Sequence, residues 1–459
     1  MTKSGRRVDL TQGSIMGCVF AFALPLCIGN VLQQMYSTVD TLVIGNFCSA
    51  TSLAAVGTSA QPLEILLCMF IGLGNGVSIL VSQYTGSGEH DRLRDTAHTA
   101  VSLVYCCSVP LTVIGILLGP WVLRLMSVPE DTMDLAVTYL RIMILGTLGN
   151  LGYNLNAGIL NGMGDSRANL MFLGVSCVVN IGLDLLFVAG FGMDVAGAAA
   201  ATIIAQLASW LVSMAYIRRK YPELHYSLLP GKMVGRELRA IVRIGVPLGL
   251  NHSLYSFGHL FLQALINEQG SVFMAACSVA GRVNNLANMT VTSLASAATT
   301  FAGQNLGAKR YDRLYRGGRR IPLVSGSITL VCGVIVTLLC EPILRLFTQD
   351  AAVLPLAVRY VRIVLPSYWI YTVFNSILSY VNGMGQVRYT MVVNVLMLWA
   401  VRIPLAWAIT RFMDGGYVMA CYPVSFTFGM LCMLRFYLTP RWKEIRAKGL
   451  RQLQGQDAV

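Results

Sequence analysis

Charge is scarce in this sequence. Only 12% of its 459 residues are Asp, Glu, Lys or Arg, while 55% are hydrophobic. A soluble domain is about a quarter charged, so the polar surface here is too small to cover a water-exposed globule. That excludes a chain of two to four soluble domains, which the length alone would suggest. Histidine is scarcer still, at five residues. No GxxxxGK[ST] loop occurs, so no nucleotide is hydrolysed through one. HExxH and GxSxG are absent as well, which argues against an intramembrane protease or lipase. None of the twelve cysteines forms a CxxC pair. Most lie inside apolar stretches (Cys68, Cys177, Cys332, Cys432), and Cys106 and Cys107 are adjacent, so they read as small buried apolar residues. No catalytic constellation and no metal cluster emerges, which leaves a membrane enzyme or receptor as a remote rival.

What the sequence does hold is long apolar runs. Twelve of them, between residues 14 and 438, can each cross roughly 30 Å of hydrocarbon, whereas a spanning strand needs only about ten alternating residues. The expectation is an all-α membrane protein with twelve transmembrane helices embedded in a lipid bilayer. Lys3, Arg6 and Arg7 precede a first run too long for a signal-peptide core, so no cleavable leader is expected. The net charge of +13 does not point to nucleic acid, because the bases sit in short segments between apolar runs. With the N-terminus inside, 26 of the 34 Lys and Arg fall in inner segments. Only Arg124, Arg345 and Arg411 fall in outer loops. By the positive-inside rule the chain is a multi-pass protein of the inner (cytoplasmic) membrane with both termini cytoplasmic.

The chain repeats itself at a spacing of 221 residues. Gln83, Gly86, Asp91, Arg92 and Leu93 recur as Gln304, Gly307, Asp312, Arg313 and Leu314. The Asn161-Gly-Met-Gly164 corner with Arg167 recurs as Asn382-Gly-Met-Gly385 with Arg388, and Tyr139 and Arg141 as Tyr360 and Arg362. Pro25-Leu26 and Pro247-Leu248 match with a one-residue slip. Matching segments fall on the same side of the membrane, so the two six-helix repeats are parallel, an arrangement that places a binding cavity between lobes. The expected domains are an N-lobe of residues 1–217, a basic cytoplasmic linker of 218–243, a C-lobe of 244–440, and a basic tail of 441–459.

Ionisable residues inside a membrane are costly and tend to be functional. In the first half they are Asp40, Glu64, Arg141 and Asp184. Helix rise, roughly 1.5 Å per residue, sets Asp40, Asp184 and Thr202 at similar depth in the outer half. Asn180, four residues before Asp184, shares its helix face. Two carboxylates, an amide and a hydroxyl make an oxygen-rich site for H+ or Na+. Their counterparts at the repeat spacing are Phe261, Val401, Leu405 and Pro423, so the site belongs to one lobe only and reads as functional. Glu64, Tyr139 and Asn154 are further candidates for the cation or substrate pocket. The match of Tyr139 with Tyr360 favours a structural role for it. In the second half His252 and His259 lie on one helix face. They read as packing histidines or, with Arg282, as the lining of a C-lobe cavity. Gly72-Leu-Gly-Asn-Gly76 lies inside a spanning helix and reads as helix packing.

These residues carry a resemblance to a known family. The first helix, PLCIGNVLQQMYSTVDTLVIG, the glycine-rich second helix with SQYTGSGEHDRL, the paired NGMG corners and the later GQNLGAKRYDRL together resemble the multidrug and toxic compound extrusion (MATE) transporters over nearly the whole chain. The resemblance implies a V-shaped bundle of two six-helix lobes. It also implies a monomer that exports small organic, cationic or amphipathic compounds in exchange for H+ or Na+, with no other cofactor. Asp40, Asn180, Asp184 and Thr202 resemble the N-lobe cation site of the DNA-damage-inducible (DinF-type) branch. Pro25 matches the proline at which the first helix bends in some members. The norfloxacin-efflux type carries further acids in helices 7 and 10, which have no counterpart inside those helices here. The nearest rival reading is a lipid-linked precursor flippase of the same superfamily, which calls for a strongly cationic central cavity.

Overall fold

A computed structural model describes residues 7–454 apart from 127, 228 and 414. Lys3 and Arg6, counted above with the inner bases, lie outside the described residues, as does the basic tail beyond 454. Twelve long helices account for most of the chain: α1 (Ile15–Phe47), α2 (Ala50–Ser87), α3 (His90–Leu125), α4 (Glu130–Leu145 and Thr147–Gly162, bent by 49°), α5 (Ser166–Gly190), α6 (Asp194–Lys220), α7 (Gly235–Asn267), α8 (Ser271–Gly307), α9 (Tyr311–Leu338), α10 (Val353–Gly383), α11 (Val387–Phe412) and α12 (Gly415–Leu438). A short amphipathic helix, α13 (Pro440–Leu453), follows. Among the described residues nine of these helices, or ten with bent α4, are long and apolar enough to span a membrane by length and composition. Helices α7 and α8 are just as long but carry more polar residues, among them His252, Arg282, Asn284 and Asn288. The fold is the expected all-α membrane architecture of twelve helices in two repeats.

Local chemistry explains where the helices begin and turn. Ser49 caps α2 by accepting from the Ser52 amide, and Asp165 caps α5 by accepting from Ala168, each supplying an acceptor for an orphan N–H of the first turn. Both NGMG corners end on a glycine with positive φ, 89° at Gly164 and 80° at Gly385, a conformation that costs glycine nothing and other residues appreciably. Lipid-facing positions are legible on α3. Val109, Val113, Leu117 and Trp121, spaced by four, are all more than half exposed, as expected of one helix face in contact with hydrocarbon.

The chain divides into two compact units. The first comprises Met1–Val8 and Leu24–Leu250, the second Asp9–Ala23 and Asn251–Val459. Within the first, α2 and α7 cross at glycines: a Cβ on Gly76 would sit 2.9 Å from Gly245 backbone atoms. Small residues let helices approach where lipid removes the hydrophobic drive to associate, so Gly72 and Gly76 have the packing role expected. The segment 218–243 packs into this unit rather than hanging loose. Tyr221, Leu224 and Tyr226 are buried, and the Glu237 carboxylate accepts from Tyr84 Oη at 3.0 Å, Thr96 Oγ1 at 3.1 Å and Arg92 Nε at 3.4 Å. In the second unit the counterpart of Arg92, Arg313, gathers in the segment before α1. It donates to the carbonyls of Gly13 at 2.6 Å, Leu10 at 3.0 Å and Gln12 at 3.2 Å. Asn305 and Gln304 hold Leu10 as well.

Candidate functional site

Four elements of the first unit bring the sequence-derived site together. Helix α1 presents Tyr36 and Asp40 one turn apart, α4 presents Tyr139, α5 presents Asn180 and Asp184, and α6 presents Thr202. Asn180 and Asp184 are completely buried and Thr202 nearly so, while Asp40 is partly buried. The Thr202 hydroxyl accepts from Asn180 Nδ2 and from Tyr36 Oη, both at 3.4 Å. The carboxyl groups of Asp40 and Asp184 stand within hydrogen-bonding reach of each other, and Tyr36 and Tyr139 lie within range of both charges. The expected quartet is therefore one cluster, and Tyr139 joins it.

The local backbone singles out the same place. Helix α5 is regular up to Asp184 and then widens into a π-helical turn over Leu185–Gly190. Such wide turns are rare and concentrate at functional sites.

The electrostatics of the cluster are one-sided. Among the described residues, both oxygens of Asp184, Oδ1 of Asp40 and Oδ1 of Asn180 are buried without a donor. Neither carboxylate has an ion pair among the described residues. Two buried carboxylates without a cation or donors cost several kcal/mol each in an apolar interior. Such a pair shares protons as a coupled unit or takes up a small cation. Oxygens are the only ligands offered, which suits a proton or a hard monovalent ion.

The remaining candidates lie elsewhere. Glu64 is exposed on α2. Asn154 turns its amide to its own helix, donating to the Asn150 carbonyl at 2.9 Å and side-chain oxygen at 3.0 Å. Pro25 lies within the unbroken helix α1, next to Leu24, where the chain passes from the second unit to the first. In the second unit His252 and His259 are accessible rather than packed, and His259 stands 5.6 Å from Tyr255, ring to ring. Arg282 is exposed and lies 5.8 Å from the Phe347 ring, and Arg359 is 5.0 Å from Tyr417. These two arginines thus lie against separate aromatic rings.

Two residues of consequence received no site role from the sequence, although Arg402 is one of the bases inside the second half's apolar runs. Tyr36 had a signal, since it precedes Asp40 by one turn on the same face. Arg402 had only its rarity as a charge inside an apolar run.

The sequence and the fold both have known relatives. The MatE family model matches residues 25–186 and 247–408. The chain is 30% identical over 444 residues to the "Probable multidrug resistance protein YoeA" of Bacillus subtilis, covering 93% of this chain and 94% of that protein. It is 24% identical to a "Probable multidrug resistance protein NorM" of Thermotoga maritima, with 92% of each chain covered. The solved structure described as the "outward-facing conformation of a multidrug resistance MATE family transporter of the MOP superfamily" superposes with a TM-score of 0.86 at 21% identity, over 97% of this chain and 99% of that one.

Proposed function

The chain belongs to the MatE family of multidrug-efflux membrane transporters, and we propose that it is a secondary active antiporter exporting drug-like organic compounds in exchange for H+ or Na+. It is a transporter and not an enzyme. The reading rests above all on one observation: in the Asp40–Asp184 pair three carboxylate oxygens are buried and lack any donor among the described residues. An uncompensated acid pair gains most from a proton or small cation, and that gain is what couples ion entry to a change of shape.

In this scheme substrate leaves from the first unit when the ion arrives. Neutralising Asp40 removes its repulsion with Asp184 and lets α1 shift against α5 and α6. Pro25 makes α1 easy to bend, because it removes one backbone hydrogen bond from the helix. The change in unit membership beside Pro25 supports a flexible point there. The cargo would be small, cationic or amphipathic, the inner-face bases would keep both termini cytoplasmic in the cell membrane, and one chain would suffice, since a single copy carries the whole acid cluster.

Efflux of a fluorescent organic cation from membrane vesicles tests the scheme, first under an imposed pH gradient and then under an imposed Na+ gradient. Wild-type protein should move the dye under at least one gradient, and the responsive gradient identifies the ion. Asp40→Asn and Asp184→Asn should bring efflux to background with the protein still in the membrane. Wild-type efflux by either variant would refute the acid pair as the coupling site.

A further inference from the structure

Arg402 is the largest side chain that the structure buries completely. It closes the π-helical turn of α11, Leu396–Arg402, and its Nε donates to Ser425 Oγ on α12 at 3.0 Å. Both amino groups, Nη1 and Nη2, are buried without an acceptor among the described residues. The guanidinium carbon stands 4.6 Å from the Tyr422 ring centroid and 5.2 Å from that of Phe426. Tyr371 packs on Phe426 at 4.6 Å, and Tyr368 meets it edge-on at 6.0 Å. The Tyr255 hydroxyl comes near the guanidinium without reaching hydrogen-bond geometry, and Cys421 is its other polar neighbour. Among the described residues no carboxylate balances it. The acids Glu268, Asp312 and Glu341 stand at helix ends beside Arg411, Arg310 and Arg345.

The aromatic rings do not settle that charge by themselves. A desolvated cation–π contact contributes about 2 kcal/mol, whereas a charge taken out of water loses several kcal/mol even after relaxation. What remains free is the end of the guanidinium fork, two parallel N–H donors at the spacing of a carboxylate's two oxygens. The ring walls around that fork suit an apolar body. We propose that the Arg402 cage of the second unit is a receptor for the carboxylate of an amphipathic organic ligand, with Tyr422, Phe426 and Tyr371 holding its apolar part. That the ligand is cargo rests on the transporter reading above; the binding itself does not. Tyr255, Tyr371 and Tyr422 are partly accessible, and His259, one turn beyond Tyr255, is exposed. They mark the way in. Arg402 has no accessible surface, so Tyr255 or Tyr422 must turn aside to admit the ligand.

Calorimetric titration of the purified protein in detergent, with no ion gradient, tests the cage against a matched pair. The probes are 2-naphthoate and 2-naphthamide, which share their rings and differ in charge. Naphthoate should bind at least tenfold more tightly than the amide. Arg402→Gln should erase that difference, Arg402→Lys should keep part of it, and Asp184→Asn in the other unit should keep all of it. Equal affinities in the wild-type protein, or discrimination that persists in Arg402→Gln, would overturn the proposal. The wild-type comparison decides even if a variant fails to fold. Chloride at millimolar concentration should not displace naphthoate; competitive displacement would assign the cage to an inorganic anion and also overturn it. Lost efflux with intact naphthoate preference would count against the transport scheme alone.

Discussion

In the first unit the fifth helix is tied to the sixth by an amide and a hydroxyl, Asn180 to Thr202 at 3.4 Å. In the second, the corresponding pair α11 and α12 is tied by a guanidinium and a hydroxyl, Arg402 to Ser425 at 3.0 Å. Each link adjoins a π-helical turn, one beginning after Asp184 and the other ending on Arg402. Each carries buried polar atoms without partners among the described residues, carboxylate oxygens in one unit and guanidinium nitrogens in the other. The framework is repeated and the sign of the charge is reversed. The two repeats thus place buried polar atoms of opposite sign, without partners among the described residues, at the junction of their fifth and sixth helices.

The largest expected effect separates the two places by kinetics. Asp184→Asn should lower the maximal efflux rate to background for every substrate, because the ion step is lost. Arg402→Gln should raise the half-saturating concentration of carboxylate substrates about tenfold, the weight of one bidentate pair, and leave their maximal rate in place. Initial efflux rates against substrate concentration distinguish the two. If both variants lowered the maximal rate alike, the two units would serve one step and the contrast of roles would fail.

The repeat, the corners and the acid cluster were legible in the sequence because each depends on local pattern: apolar runs, a glycine with positive φ, and acids at a depth set by helix rise. That the second half embeds bases where the first embeds acids was legible too, but the correspondence of Arg402 with Asn180 was not. At a spacing of 221 residues Asn180 meets Val401, while the family model's two matches are offset by one residue more, which sets Arg402 against Asn180. A single-residue slip is enough to hide the correspondence. The membership of Asp9–Ala23 in the second unit was equally hidden. It depends on hydrogen bonds such as Arg313 to Leu10, which span 303 positions, and no local pattern encodes those. The twelve-helix count was readable from apolar length, although α7 and α8 were the least apolar of the set.

A second, smaller contrast concerns the repeated arginines that hold the segments leading into α7 and α1. Arg313 is buried and donates to three backbone carbonyls and to Asn305 Oδ1 at 3.1 Å. Arg92 is about a third exposed, and its bond to Glu237 is long, at 3.4 Å. Arg313→Met should therefore cost roughly 3 kcal/mol, since it strips buried acceptors of a charged donor. Arg92→Met should cost under about 1 kcal/mol, because solvent screens the pair and Tyr84 and Thr96 still serve Glu237. Arg402→Met should be close to neutral by the same logic, as it removes a buried charge that no acid balances. Equilibrium unfolding in detergent ranks the three. A larger loss from Arg402→Met than from Arg313→Met would mean that the aromatic cage alone compensates its charge, and the reversal of sign between the units would then be architectural.

The finest test uses the matched tyrosines, which the repeat alone marked as structural. Tyr360 is so: its hydroxyl accepts from Asn284 Nδ2 at 2.8 Å, and removing it leaves a buried amide donor unserved. Tyr360→Phe should cost about 1 kcal/mol of stability and leave ion dependence unaltered. Tyr139 is buried within range of the charges of Asp40 and Asp184 and has no hydrogen bond among the described residues, so Tyr139→Phe should leave stability unaltered. Where its hydroxyl serves the ion or the protonated acid pair, its loss should raise the half-saturating ion concentration a few-fold, the range expected for one neutral hydrogen bond. Unfolding midpoints and ion titrations of efflux, measured on both variants, give four outcomes from two substitutions. Crossed results, with stability lost at Tyr139 and ion dependence lost at Tyr360, would place the coupling chemistry in the second unit. The expected pattern would show that one inherited residue was kept for packing in one unit and put to use beside the ion in the other.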